Sequence, residues 1–135
     1  MIRLSAYGPV TRFDIARTLF GRGRYWTTAY LVDGLLVDSG CAHEAAGMLR
    51  LLEAAPPSLL VNTHSHEDHI GADGLLQQAF PALQVMAHPL ALPILADPPR
   101  EQPLHPYRRL FWGFPAPSRA HPLAGESLAG VEAQL

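Results

Sequence analysis

Asn62-Thr63-His64-Ser65-His66-Glu67-Asp68-His69-Ile70-Gly71 gathers three histidines and two carboxylates at the end of the short apolar run Ser58–Asn62. That run, preceded by Pro56-Pro57, reads as a buried strand. Helical text resumes over Gly71–Phe80 and is stopped by Pro81. In an extended stretch alternate side chains point the same way, so His64 and His66 can turn their imidazole nitrogens toward one ion while Ser65 and Glu67 point elsewhere. Where the chain bends into the next helix, Asp68 and His69 can face a second ion, about 3.5–4 Å from the first in two-metal hydrolytic sites. Mixed imidazole and carboxylate ligands suit zinc best, and manganese, iron or nickel also accept them. The helical zinc-protease pattern H-E-x-x-H is excluded, because a single residue separates Glu67 from His69.

Upstream of the cluster, His43–Ala55 predicts a helix, with Ala45, Ala46, Met48, Leu49, Leu51 and Leu52 forming a stripe near helical spacing. Before it, apolar-polar alternation predicts antiparallel strands at Ile2–Tyr7, Thr11–Arg17, Thr27–Val32 and Leu35–Val37. The last two flank Asp33-Gly34, a pair suited to a tight hairpin because both positions tolerate positive φ. Downstream, Leu83–Ala87 predicts another strand. Prolines then break the text, leaving short helices expected at Leu90–Ala96 and Tyr107–Trp112 and the start of a further strand or hairpin at Leu128–Leu135. The order strand, cluster, helix, strand puts the cluster at the carboxyl end of a strand in a layered α/β fold, the edge where such folds hold ligands.

The totals narrow the function classes. The chain of 135 residues with 48% hydrophobic content suits one domain with a sizeable core. All ten basic residues are arginines against twelve carboxylates, a net charge of -2, so no broad positive field attracts nucleic acid. Without lysine, neither a phosphate-binding Gly-Lys loop nor a Schiff-base amine can be built. Cys41 is the single cysteine, which rules out an intrachain disulfide and points to a reducing, cytoplasmic setting. No signal peptide or apolar membrane span is evident.

The stretch Asn62–Gly71 resembles the H-x-H-x-D-H motif of the metallo-β-lactamase-fold hydrolase superfamily. Leu35-Leu36-Val37-Asp38-Ser39-Gly40 is similar to that family's strand ending in Asp-Thr/Ser-Gly. The resemblance implies an αββα sandwich, two zinc ions per complete site with iron or manganese as alternatives, and a metal-activated water. That water would attack an ester, thioester, lactone, amide or phosphoester in a small-molecule substrate. Carried over, His64 and His66 would hold the first metal and Asp68 and His69 the second, with Asp68 also orienting the attacking water as the catalytic residue. Members of the family have further ligands downstream, and no Gly-His-Ser/Thr segment follows here. Four side chains shared by two ions also fall short of the three protein ligands usual for each catalytic zinc. The resemblance thus covers most of the chain but only the N-terminal half of a typical member. The expectation is an incomplete single domain over residues 1–135, one sheet face uncovered, completed by a missing C-terminal half or by another copy. A non-catalytic metal-binding module and an iron-dependent oxidative relative are the competing readings.

Other candidates carry weaker chemistry. Asp38 could steady a ligand histidine through its second ring nitrogen, and Thr63 could assist. Gly40 and Gly71 read as backbone devices beside the site. His43 at a helix start, and His88, His105 and His121 before prolines, read as surface or loop residues rather than ligands. Cys41 reads as a small buried residue. Gly21-Arg22-Gly23 fails as a dinucleotide fingerprint, because Trp26 stands where the third glycine belongs. Tyr107, Phe111, Trp112 and Phe114 form an aromatic group that could wall a substrate cleft, with local packing the favoured role.

Overall fold

A computed structural model describes residues 1–123. Seven strands form one mixed sheet in sequential order, β1 (Ile2–Tyr7), β2 (Val10–Leu19), β3 (Arg22–Val32), β4 (Leu35–Val37), β5 (Leu59–Val61), β6 (Gln84–Ala87) and β7 (Ala120–Pro122). The first four pair antiparallel, and β4 to β7 run parallel. Parallel neighbours need crossovers, which α1 (Ala45–Leu52), α2 (Asp73–Ala79) and the short helices α3 (Leu92–Ala96), α4 (Pro98–Glu101) and α5 (Pro106–Phe111) supply.

The antiparallel half extends beyond its expected limits. Phe20 and Gly21 both take positive φ, 51° and 74°, so β2 and β3 pair out to their tip. Asp33 and Gly34, at 48° and 80°, form the predicted tight turn. A bulge shifts the β2–β3 register between Ile15 and Arg17 and sets Tyr25 at φ 53°. Such bulges re-aim side chains, and here Tyr25 turns out of the ladder toward α5.

Helix boundaries contract for local reasons. The stretch expected to begin at His43 opens as a 3-10 turn over Ala42–Glu44 before α1, because no side chain caps the helix start. Before α3, Pro89–Ala91 is likewise a 3-10 turn. The sequence reading missed α4, since Pro98 and Pro99 look like breakers yet occupy the first turn, where proline's absent N–H costs nothing. It also missed β7, whose three residues carry no alternation. The strand or hairpin expected at Leu128–Leu135 lies outside the described residues.

One sheet face is the core. Phe13, Ile15, Ala29, Leu36, Leu60 and Val85 are buried there and pack with Met48 and Leu52 of α1 and Leu76 of α2. The strand register puts Tyr30, Val32, Leu35, Val37, Leu59, Val61 and Met86 on the opposite face. None of these is buried. An apolar face this wide, left half-exposed, is the kind of surface that a further layer or partner covers.

Candidate metal centre

The β4 and β5 strands end side by side, and the loops that leave them build the site. After Val37, Asp38 takes φ 59°, a left-handed conformation that Asp tolerates better than most residues. Its N–H donates to the Val61 carbonyl at 3.0 Å, anchoring the turn to β5. The side chain, 4% exposed, then faces the histidine loop.

Asp38 organises that loop. Its Oδ1 accepts the Thr63 backbone N–H at 2.8 Å, and Oδ2 accepts the Thr63 hydroxyl at 2.7 Å. Oδ2 also lies 2.9 Å from His69 Nδ1. A carboxylate can only accept here, so His69 Nδ1 carries the proton and its Nε2 keeps the free lone pair. Thr63 has one hydroxyl proton, already given to Asp38, so at 2.9 Å its oxygen accepts from His64 Nδ1. His64 is thereby also set with Nε2 available as a donor to an ion.

The sequence-predicted residues come together. The His64 ring lies 4.8 Å from that of His66 and 4.1 Å from that of His69. His66 accepts the backbone N–H groups of His69 and Ile70, closing a helical turn that brings residues 66 and 69 round to one side. His69 Nε2 and Asp68 Oδ2 are 3.6 Å apart. Two donors on one tetrahedral zinc, each about 2.1 Å from it, sit roughly 3.4 Å apart. The spacing therefore suits Asp68 and His69 to a shared ion. Among the described residues, no group of three or more His, Cys, Asp and Glu side chains could hold an ion by itself. The donors fit zinc in type, Asp68 and His69 fit it in spacing as well, and each pair needs further ligands to complete a coordination shell.

Electrostatics separate the histidines. Burial, reinforced by positive charge on His69 and His66, lowers the His64 pKa and favours its neutral, ligand-competent form. For His69 burial acts downward, but the Asp38 hydrogen bond and the charges of Asp68 and Asp38 outweigh it and raise the pKa.

Gly40 and Gly71 serve the backbone as expected. Gly71 N–H donates to the Gly40 carbonyl at 2.7 Å. A Cβ on Gly71 would overlap the Cys41 carbonyl carbon and the Ala42 nitrogen. Cys41 itself is fully buried, and burial raises its thiol pKa, the condition of a packing residue rather than a nucleophile.

The remaining histidines stand outside the cluster. His43 Nε2 contacts the Arg109 carbonyl and Arg17. His105 precedes α5 and stacks on Tyr107, and His121 lies exposed on β7. His88 Nδ1 accepts the Leu90 N–H at 3.1 Å. It lines a cleft of about 350 Å³ with Thr63, His64, Ser65, Leu90 and Ile94, so an apolar ledge borders the cluster. The aromatic group divides: Phe111 and Trp112 pack on Tyr25, with centroids 4.5 and 6.0 Å away, whereas Tyr107 stays exposed.

Two buried acidic residues escaped the sequence reading. Glu67, 1% exposed, forms a bidentate pair with Arg108, both contacts at 2.6 Å. Asp73 at the start of α2 accepts the Ser39 hydroxyl at 2.6 Å, while Ser39 Oγ accepts the Ala72 N–H. Burial pushes the Asp73 carboxyl up to about 7, with Ser39 and Asn62 pulling the other way. Asp73 Oδ2 and both side-chain polar atoms of Asn62 are buried without a hydrogen-bond partner. Neither acidic residue has a partner at recognisable sequence spacing.

Comparison with known proteins agrees with this architecture. A sequence model described as the metallo-beta-lactamase superfamily matches residues 23–133. Among solved structures the chain is similar to the metallo-beta-lactamase FIM-1 from Pseudomonas aeruginosa in the mono-zinc form, at 14% identity and TM-score 0.63, covering 93% of this chain and 52% of that one. It is also similar to a metallo-beta-lactamase from Erythrobacter litoralis with beta mercaptoethanol in the active site, at 20% identity and TM-score 0.60, covering 92% and 51%. A metallo-beta-lactamase from Pontibacter korlensis gives 18% identity and TM-score 0.58, covering 72% and 48%. These likenesses establish the fold, and the chain spans about half the length of the structures it matches. No curated protein matches the sequence.

Proposed function

This chain belongs to the metallo-beta-lactamase superfamily, and on that premise we propose that it supplies the metal-binding loop of a hydrolase acting on a small ester, thioester, lactone or amide-type substrate. The observation that carries the reading is the Asp38 hub. One buried carboxylate accepts the Nδ1–H of His69 directly and, through the Thr63 hydroxyl, fixes the Nδ1–H of His64, leaving both Nε2 atoms free on neighbouring rings. Carboxylates that orient ligand histidines in this way also raise their basicity. A surface turn has no use for such an arrangement.

In this reading His64 and His66 would hold one zinc ion, and Asp68 with His69 a second. The bound metal would supply a water acidic enough to act as nucleophile near neutral pH and a Lewis acid for the carbonyl. Asp68 would accept a hydrogen bond from the attacking water and aim its lone pair. The apolar ledge of Leu90 and Ile94 would take an apolar substituent of the substrate. The remaining ligands would come from outside the residues described here.

The second reading is a metal-binding module without turnover, favoured by the lack of any three-donor group among the described residues. One experiment separates them. The complete protein is purified, its metal content measured by mass spectrometry, and generic ester, thioester and lactone substrates are assayed with and without added zinc. Zinc-dependent turnover lost in His66→Ala supports the hydrolase, zinc uptake without turnover supports the module, and iron as the native metal would point to oxidative chemistry.

A further inference from the structure

We propose that Glu67 and Arg108 are positioning residues for the metal loop: an ion pair between a buried carboxylate and a half-buried guanidinium that makes α5 a strut holding His66 and Asp68 in register. The inference rests on the metal-binding reading above. Glu67 stands between two proposed ligands in the chain, and its carboxylate meets Arg108 of α5. It ends at 1% exposure, where an unpaired carboxylate would be strongly disfavoured. Arg108 meets it with two parallel contacts, Nε to Oε1 and Nη2 to Oε2, each 2.6 Å. Bidentate guanidinium pairing fixes direction as well as distance, so the carboxylate plane is set by α5.

The strut is itself braced at its other end. The Leu110 carbonyl accepts from Arg17 of β2, and the Arg109 carbonyl lies 3.0 Å from His43 Nε2. His43 N–H donates to the Trp112 carbonyl at 3.3 Å, and Phe111 packs on Tyr25 of β3. α5 therefore joins the β2–β3 hairpin and the turn before α1 to the loop between His66 and Asp68. Asp38 steadies His64 and His69, and its hydrogen bonds among the described residues go to Thr63 and His69 rather than to residues 66 or 68. Beside the backbone bonds that the His66 carbonyl accepts from His69 and Ile70, the Glu67–Arg108 pair ties that part of the loop to α5.

The test uses the complete protein with zinc alone as the probe. Zinc affinity is measured by competition with a chromophoric chelator, and the d–d spectrum of the cobalt-loaded protein reports ligand geometry. Arg108→Ala should weaken zinc binding by about 10–100-fold, the range for residues that orient ligands, and change the cobalt spectrum. Arg108→Lys should recover less than half of that loss on a logarithmic scale, because a point charge cannot reproduce the two-point contact. The Glu67→Met/Arg108→Leu double variant removes both charges together, so no carboxylate is left buried and unpaired, and it is expected to melt near the parent temperature. Positioning predicts that this stable double variant still binds zinc at least about 10-fold more weakly. Parent-like affinity and spectrum in the folded double variant would leave only a packing role and overturn the proposal. A parent protein that takes up no zinc would sink the metal-binding reading and this inference with it; tight binding by the parent and by every variant sinks this inference alone.

Discussion

Asp38 Oδ2 lies 2.9 Å from His69 Nδ1 and 2.7 Å from the Thr63 hydroxyl, so one oxygen atom sets the tautomer of two histidines. Strand pairing delivers this contact. β4 and β5 run parallel in register Val37↔Val61, and their carboxyl ends bring residues 38 and 63 to the same edge. Asp38→Asn keeps the shape but offers an amide that can donate as well as accept, so both ring orientations lose their lock. Zinc affinity should fall by about 10–100-fold with melting temperature little changed in the presence of excess metal. Chelator competition that returns parent affinity would remove Asp38 from its organising role.

Asp73 predicts a pH dependence of stability. Its carboxyl is raised from 3.8 to about 7 in the folded chain, so between those values the folded state holds a proton that the unfolded state has released. Stability contributed by this group therefore declines as pH rises through that window. Asp73→Asn retains an acceptor for Ser39 and has nothing to ionise. Relative to the parent, the variant should gain on the order of 2–3 kcal/mol between about pH 5 and about pH 8, read from paired denaturant titrations. Parallel pH profiles for the two proteins would show that Asp73 is already ionised when folded.

Gly71→Ala tests the close approach of two loops. The added methyl would meet backbone atoms of Cys41 and Ala42, which cannot swing aside as a flexible side chain would. Opening the gap would stretch the Gly71 N–H to Gly40 carbonyl bond and shift the histidine loop. A loss of about 3 kcal/mol or more in unfolding free energy is expected, with weaker zinc binding in whatever remains folded. A melting temperature within a few degrees of the parent would mean that the loops separate easily.

Trp112 distinguishes a cleft wall from a packing residue. It packs against the core cluster, and its indole N–H is buried without a partner. Trp112→Ala should cost about 3 kcal/mol, whereas Trp112→Phe should be near neutral, since it removes the unpaired donor and keeps most of the contact. Zinc content per folded molecule should stay constant in both. Undiminished stability in Trp112→Ala together with altered substrate preference would return Trp112 to the cleft.

Much of this was legible in the chain because periodicity and turn chemistry are local. Alternation located β1 to β4, the Asp33-Gly34 pair marked its hairpin, and the histidine cluster marked the loop proposed here to bind metal. Where proline was read only as a breaker, α4 was lost, although proline at a first helical turn is compatible with continuation. The bulge at Tyr25 left no trace in the text, since a left-handed tyrosine is selected by what its ring reaches, here Phe111.

The sequence by itself determined which donors this protein owns and the order in which its elements follow, because residue type and spacing along a strand or helix are properties of neighbouring residues. Only the tertiary structure decided which ring nitrogens are left free, that Asp73 is buried beside Ser39, and that Glu67 is held by an arginine 41 residues away. Those outcomes depend on desolvation and on hydrogen bonds between segments remote in the chain, and neither exists until the sheet has brought its strand ends together.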